Sequence, residues 1–327
     1  MGLTDLFSRG FYGQGVTVAV LETGFYHTVA PQYRQNIHNI NIRPTAFDWY
    51  SEHVDQVLPP LEFCNPYTTP LHVKFEIGMG RQEGFRFYHG DSVASLIAEA
   101  SPLAKILPVV TSLDSRDGSF AKALKKLSKR EDVNVINMSR ILETKVDDET
   151  QLNPRVLRAL EKCAIKGKII TFSACNADNL PIPTNPTRDW INVQTLNNLN
   201  LNLIADFFEN ASENLLKHTI VSGALNLNSD TIAHYSTWAG VGKARQNYIA
   251  TKGINYCSIF RGNWDGTSVS APYTAATCAN LLSSKIWAGA EVVESLFDGA
   301  APKPHEQHIY GRGVMRGGDA LEELLAN

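Results

Sequence analysis

Short apolar runs alternate with amphipathic stretches along the chain. The apolar runs are rich in β-branched residues and are bounded by turn-forming or polar residues, which is typical of strands buried in a parallel sheet. Between them, apolar residues recur at the spacing of a helix that has one buried face. The predicted strands cover residues 16–21, 105–110, 133–138, 168–172 and 218–222, and the predicted helices cover residues 89–100, 120–129 and 154–167.

This alternation predicts an α/β fold in which a parallel β-sheet is covered by helices on both faces. Pro154 suits the first turn of its helix and Gly167 suits the stop, while the lysines of the 120–129 helix are expected to form a solvated face. Two later helices are predicted, one from about Ser268 and one over residues 318–325. The chain shows no internal repeat and no break in composition, so we predict a single domain over residues 1–327 with loop insertions.

Charge and cysteine content narrow the choice of partners. The chain has 30 Lys and Arg against 33 Asp and Glu, a net charge of −3, which argues against nucleic acid or an anionic membrane as the main partner. No apolar run reaches the ~18 residues that a membrane span requires. The five cysteines form no Cys-x-x-Cys pair and the histidines show no metal-ligand spacing, so free thiols, a cytoplasmic location and no cofactor or metal are expected.

Four polar residues stand at the ends of predicted elements, where parallel sheets carry their functional groups. Glu22 and Asn176 follow predicted strands, while His89 and Ser268 each open a predicted helix. A serine, a histidine, a carboxylate and an amide are the groups that acyl transfer requires. Ser268 would attack, His89 would take the proton, Glu22 would orient the imidazole, and Asn176 would donate to the oxyanion.

The segments around these residues resemble those of the subtilases, the subtilisin-like serine proteases. Five segments carry the resemblance, and the last is the most specific: residues 15–24, 89–94, 135–139, 173–176 and 266–272. Their order places the carboxylate first, then the histidine, then the serine, as in subtilisin. Weaker agreement extends the resemblance over about residues 13–325. It implies a subtilisin-like fold and a serine endopeptidase that acts on proteins or peptides.

Glu22 is the main departure, because the family has aspartate at this position. One interpretation is an active Glu22–His89–Ser268 triad with Asn176 as oxyanion donor. Another is a catalytically weak or inactive protein of subtilase fold that binds a peptide or a partner protein. A third is an esterase or transacylase that uses the same triad. Asp91 is not expected to replace Glu22, because residues two apart on a helix point in different directions.

The resemblance also implies a substrate cleft lined by Ser139, Arg140, Ile141 and Cys175. Arg140 would favour an acidic residue four positions before the cleaved bond, or would turn outward and cap the edge of the sheet. Ile141 and Cys175 add bulk where the family has glycine, so they would favour a small residue at the cut and a restricted specificity. Two longer stretches, residues 49–82 and 187–217, are expected to rim the cleft. The aromatic residues of the first stretch suit either a packed loop or a contact surface for a partner protein. Residues 25–31 lack the aspartate of the family's calcium site, so no metal is implied.

Overall fold

The structure is a computed structural model of the 327-residue chain. It describes residues 3–22, 89–111, 118–139, 145–146, 149–150, 153–176, 207–240, 242–257, 262–283 and 287–326. Its strands are β1 Thr17–Glu22, β2 Lys105–Val110, β3 Val135–Met138, β4 Lys145–Val146, β5 Glu149–Thr150, β6 Ile169–Ser173, β7 Thr219–Leu225, β8 Tyr248–Lys252, β9 Ile254–Cys257 and β10 Gly262–Asp265. Its helices are α1 Leu3–Ser8, α2 His89–Ala100, α3 Ser119–Leu127, α4 Pro154–Ile165, α5 Glu213–Leu216, α6 Thr267–Leu282, α7 Gly289–Asp298, α8 Gln307–Tyr310 and α9 Gly317–Ala326. A 3₁₀ helix spans Lys243–Asn247.

Six of the strands form one sheet in the order β2-β1-β3-β6-β7-β8. Every neighbouring pair in this sheet runs parallel, as the buried apolar runs predicted. Two antiparallel pairs, β4 with β5 and β9 with β10, stand apart from it. The predicted fold class is therefore confirmed, with the ends of the predicted strands displaced by up to three residues.

Side chains of β1 alternate between two apolar cores, one on each face of the sheet. Val18 and Val20 join a core with α1, α2, α6, α7 and α9. Ala19 and Leu21 join a second core with α3 and α4. Burial on both faces is the condition under which a parallel sheet is stable, because each apolar face then leaves water.

The local signals in the sequence explain where α4 begins and ends. Asn153 caps the helix by accepting a hydrogen bond from the Arg155 backbone N–H at 2.9 Å, and Pro154 occupies the first turn. After the helix, Gly167 adopts φ of 72°, a left-handed conformation that favours glycine. The chain then enters β6, so α4 runs back from the carboxyl edge of the sheet to the amino edge.

Of the two inserted stretches, residues 49–82 lie outside the described residues, as do residues 187–206. The described remainder of the second stretch includes Phe207 and Phe208, which are buried in the core of the α3–α4 face. Phe207 packs edge-on against Phe172 of β6, with ring centroids 5.4 Å apart. This end of the insertion is therefore anchored in the core.

Candidate active site

Glu22 and His89 meet at the carboxyl edge of the sheet. Glu22 is the last residue of β1, is 2% exposed, and has its carbonyl fixed by the Thr111 backbone N–H at 2.8 Å. His89 is the first residue of α2, and its Nδ1 lies 3.1 Å from Glu22 Oε1. The distance is that of a hydrogen bond, but Oε1 makes no well-aligned hydrogen bond with any described residue. The longer side chain of glutamate therefore reaches the imidazole with imperfect alignment.

Ser268 is the second residue of α6, a helix that is buried along most of its length. Its hydroxyl donates a hydrogen bond of 3.1 Å to the backbone carbonyl of Ser139, which follows β3. The residue itself is partly exposed. The Ser268 hydroxyl therefore lies at the end of β3, held by the backbone of a residue that the sequence assigned to the substrate cleft.

Asn176 sits three residues after β6 with its side-chain oxygen fixed. Oδ1 accepts hydrogen bonds from the Thr267 backbone N–H at 2.9 Å and from Thr267 Oγ1 at 3.0 Å. Because both bonds engage Oδ1, the Nδ2 end of the amide is left to donate, and it donates to no described residue. Nδ2 faces Gly266, since a Cβ added at that glycine would lie 3.2 Å from it. The amide next to Ser268 is thus oriented by the residue that precedes Ser268.

Cys175 is buried, and its backbone adopts φ of 73°. This left-handed conformation favours glycine, which is the residue that the resemblance implies at this position. Backbone contacts hold this conformation. The Thr237 N–H donates to the Cys175 carbonyl at 3.1 Å, and the next residue, Asn176, forms a β-bridge with Ser236. Arg140 and Ile141, the other two residues assigned to the cleft with Ser139, lie outside the described residues.

A chain of buried polar side chains links β6 to the segment that receives Ser268. Thr171 Oγ1 donates to Asn137 Oδ1 at 3.0 Å, and Asn137 Nδ2 donates to Ser139 Oγ at 2.9 Å. The sequence predicted neither a role for Asn137 and Thr171 nor the hydrogen bonds that Thr267 makes. The sequence signal for Asn137 is an amide in the middle of an apolar run. In the structure this amide is fully buried, and a buried amide must find hydrogen-bond partners.

In the part of the chain that the structure describes, no group of three or more His, Cys, Asp and Glu side chains is placed to hold a metal ion. None of the helices described is both long enough and apolar enough to cross a membrane. The arrangement at the carboxyl edge consists of a carboxylate, an imidazole, a hydroxyl and an amide, which are the groups of nucleophilic acyl transfer.

The chain belongs to the subtilase family, whose sequence profile matches residues 13–313. That match covers all five segments on which the resemblance was stated, so the family assignment is confirmed. No curated protein is significantly similar to the chain in sequence.

Solved structures of the same fold include a maturation protease, a lanthipeptide protease and a macrocyclase. The prenylagaramide maturation protease PagA superposes with a TM-score of 0.61 at 17% identity, covering 99% of this chain and 98% of that one. A lanthipeptide protease gives a TM-score of 0.62 at 20% identity, covering 97% and 90%. The PatG macrocyclase in complex with peptide gives 0.56 at 16% identity, covering 99% and 95%. At these identities the likeness is one of fold.

Proposed function

We propose that this subtilase is a serine endopeptidase in which Glu22, His89 and Ser268 form the catalytic triad and Asn176 is the oxyanion donor. The observation that carries the proposal is the 3.1 Å contact between the buried Glu22 carboxylate and His89 Nδ1. A carboxylate in that place fixes the ring and its tautomer, so that Nε2 is the nitrogen left to take a proton. Glutamate fills the carboxylate role in some other hydrolase triads.

In the proposed reaction the Ser268 hydroxyl leaves the Ser139 carbonyl and turns towards His89. His89 Nε2 takes the hydroxyl proton as Ser268 Oγ attacks the peptide carbonyl, and Asn176 Nδ2 donates to the oxyanion that forms. His89 then gives the proton to the leaving amine as the peptide C–N bond breaks. Water next attacks the acyl-enzyme while His89 takes its proton, and His89 returns that proton to Ser268 Oγ as the acid product leaves. Loss of one such oxyanion donor costs about 10²–10³ in kcat, which sets the scale of the role proposed for Asn176.

The substrates that we propose are peptides or protein segments, cut with restricted specificity. Solved structures of the same fold include maturation proteases and a macrocyclase bound to peptide, which supports a peptide as the class of substrate. The buried Cys175 side chain stands where the family has glycine, which supports a small residue at the cut. Preference for an acidic residue four positions before the cut, through Arg140, stays a prediction, as does a cytoplasmic location.

A second candidate is a catalytically silent subtilase that binds a peptide or partner without cutting it. Two observations favour it. The Ser268 hydroxyl is held by the Ser139 carbonyl, and Glu22 Oε1 has no well-aligned hydrogen bond among the described residues. In this case the same cleft would bind an extended peptide, and the serine would not react.

Cleavage of a peptide library separates the two candidates. The chain is incubated with the library, and new amino termini are identified by mass spectrometry, with Ser268→Ala and Ser270→Ala run in parallel. Ser270 is a buried serine two residues further along the same helix, so it is a matched control. We expect cleavage by the natural chain and by Ser270→Ala and none by Ser268→Ala. Binding of library peptides without any new terminus would favour the silent protein.

A further inference from the structure

Two helices on one face of the sheet carry an uninterrupted set of exposed cations. We call it the basic flank, and it consists of four lysines on or just after α3 and four cations on or just after α4: Lys122, Lys125, Lys126, Lys129, Arg155, Arg158, Lys162 and Lys166. All eight side chains are exposed, and none forms an ion pair with a described residue. They are over a quarter of the 30 Lys and Arg of a chain whose net charge is −3.

The two helices lie side by side, so the two sets of cations form one surface. The Cys163 thiol near the end of α4 donates to the Leu124 carbonyl near the end of α3 at 3.5 Å. Both helices bury their apolar faces in the same core. Since α3 and α4 both return from the carboxyl edge of the sheet, they run parallel, with their matching ends together.

Carboxylates are few on these two helices. Residues 118–130 contain none and residues 153–168 contain only Glu161, while the exposed Glu131 and Asp132 follow α3 and Asp132 pairs with Arg130. Glu161 accepts hydrogen bonds from both the backbone N–H and the hydroxyl of Ser212, and it contributes a single negative charge against eight cations. The flank therefore keeps a large excess of positive charge.

An ordinary solvated helix face does not explain this pattern. Lys122 and Lys126 are like charges four residues apart, as are Arg158 and Lys162, and such pairs destabilise a helix. Cations near a helix C-terminus gain from the helix dipole, but Arg155 lies in the first turn of α4, where the dipole disfavours a cation. A face that needed only to be soluble would be more stable with carboxylates in the first turn.

The opposite face of the molecule is richer in carboxylates. Helices α7 and α9, which pack on the other core, carry six exposed carboxylates: Glu291, Glu294, Asp298, Asp319, Glu322 and Glu323. Asp298 pairs with Arg312 and Glu322 pairs with Arg9, so this face is less negative than the flank is positive. A polyanion that is large enough to envelop the protein would be repelled by that second face, whereas a short acidic segment would meet the basic flank alone.

The position of the flank connects it to the candidate active site. In α4, Arg155, Arg158, Lys162 and Lys166 are spaced by three, four and four residues, so they form one stripe along the helix. The stripe begins at the edge of the sheet that carries Glu22 and Asn176 and runs about 16 Å away from it. An extended polypeptide of about five residues covers that length.

We propose that the basic flank binds an acidic segment of the polypeptide substrate, outside the residues that are cleaved. The choice of occupant rests on the proposed function, because a substrate already held in the cleft can extend along the stripe. The flank supplies a sequence-tolerant attraction that is strong at low salt and weak at high salt. It selects substrates by the charge of a neighbouring segment, while the cleft selects the bond.

Binding is tested with the full chain carrying Ser268→Ala, so that the result does not depend on cleavage. The probe is a fluorescent peptide of about six glutamates, with anisotropy measured at about 50 mM and about 200 mM salt. The flank variant combines Arg155→Gln, Arg158→Gln and Lys162→Gln. The control removes the same number of charges from exposed cations outside α3 and α4, through Arg9→Gln, Lys217→Gln and Lys243→Gln; each of these cations is ion-paired with a glutamate.

We expect affinity that falls with salt, a loss of about tenfold in the flank variant, and a change of less than about twofold in the control. Equal losses in both variants, or no binding by the parent chain, would overturn the inference. Tighter binding of phosphatidylserine vesicles or of single-stranded DNA, lost in the flank variant, would overturn the choice of a polypeptide. If the flank variant loses its far-UV circular dichroism, Arg158→Glu alone takes its place, with a loss of about threefold expected.

Cleavage gives a separate result with the natural Ser268. Library peptides that carry an acidic tail should be cut with a lower KM than the same peptides without it, and the flank variant should remove the difference. Tail-dependent binding in a chain that cuts nothing would leave the flank standing and end the proposed function. Equal cutting of tailed and untailed peptides would leave the proposed function standing and overturn the role of the basic flank.

Discussion

Glu22 is a residue at which the chain departs from the family to which it belongs. A glutamate side chain is longer than aspartate by one methylene, about 1.5 Å, and errors of about 1 Å in a catalytic group can cost ~10² in rate. Here the end of β1 is fixed to β2 through the Glu22 carbonyl, and from that position the carboxylate comes to 3.1 Å from His89 Nδ1. The backbone thus brings the longer side chain within hydrogen-bond distance of the ring, although the two groups are not well aligned.

Substitutions at Glu22 test this geometry. An aspartate on the same backbone would withdraw its oxygens by about 1.5 Å, so Glu22→Asp is expected to lower kcat by ~10²-fold. Glu22→Gln keeps the length but favours the wrong imidazole tautomer, and it is expected to lower kcat by up to ~10⁴-fold. Steady-state kinetics on a library-derived peptide would measure both, with urea unfolding as the control for folding. Unchanged kcat in Glu22→Gln would remove Glu22 from the triad.

At the scale of elements, the site is assembled where the segment after β3, the segment after β6 and the start of α6 meet. The segment after β3 receives the Ser268 hydroxyl through Ser139, and the segment after β6 receives Thr267 through Asn176. The start of α6 therefore bonds to the ends of two neighbouring strands. Small changes in how these strands pair would move the hydroxyl and the amide relative to each other.

Asn137 is the side chain that joins these two strands beneath the site. Asn137→Ala would leave Ser139 Oγ and Thr171 Oγ1 without the bonds they make to it, and it should lower the unfolding free energy by about 1–3 kcal/mol. Because Ser139 would lose its anchor, we also expect a fall in kcat. Thr171→Val removes the far end of the network only, so it is the control and should affect kcat less. Equal kcat values for the two variants would make Asn137 a purely structural residue.

Gly266 makes the turn from β10 into α6 with φ of 139° and ψ of 164°. Few residues with a side chain adopt this conformation, and an added Cβ would lie 3.2 Å from Asn176 Nδ2. Gly266→Ala is therefore expected to lower the unfolding free energy by about 1–3 kcal/mol and to lower kcat by displacing the amide. Gly242→Ala is the control, since an added Cβ there meets nothing within 4 Å. Wild-type stability and kcat in Gly266→Ala would contradict this account of the turn.

Hydrophobic patterning predicted the central strands because each is an apolar, β-branched run. It did not predict β8 at the sheet edge, where Thr251 and Lys252 end a short run that follows a polar 3₁₀ helix. The site residues at element ends were likewise predicted from their motifs. The hydrogen bond between Asn137 and Thr171 was not predicted, because it depends on the register in which β3 pairs with β6. The sequence also placed lysines on α3 without indicating that α4 would extend the same surface.

For the whole molecule, charge is concentrated at the surface while the cores hold neutral groups that resist ionisation. Burial raises the pKa of the Cys163 thiol from 9.0 to about 12 and also raises the pKa values of Cys278 and Tyr248. In the unfolded chain these groups lose their protons at lower pH, so the unfolded state binds fewer protons and stability falls as pH rises above about 9. Burial lowers the pKa values of Lys168 and Lys252, and this opposes the fall below pH 10.5.

Cys163→Ala isolates the contribution of one thiol to this loss of stability at high pH. The variant loses packing at every pH, but it no longer has a thiol that ionises on unfolding. The gap in unfolding free energy between the natural chain and the variant should therefore shrink by about 1.4 kcal/mol between about pH 8 and about pH 10. Urea unfolding at the two pH values measures it. A gap that stays constant would mean that the Cys163 thiol ionises alike in the folded and unfolded states.

The proposed function requires that Ser268 is an activated nucleophile, and a fluorophosphonate probe followed by intact-mass measurement shows whether it is. We expect one adduct per chain, located at Ser268 by peptide mapping. Labelling should be unaffected by Ser270→Ala, lost in Ser268→Ala, and slowed by several orders of magnitude in His89→Ala, because His89 removes the hydroxyl proton. A folded chain that acquires no adduct, or an adduct that persists in Ser268→Ala, would contradict the claim.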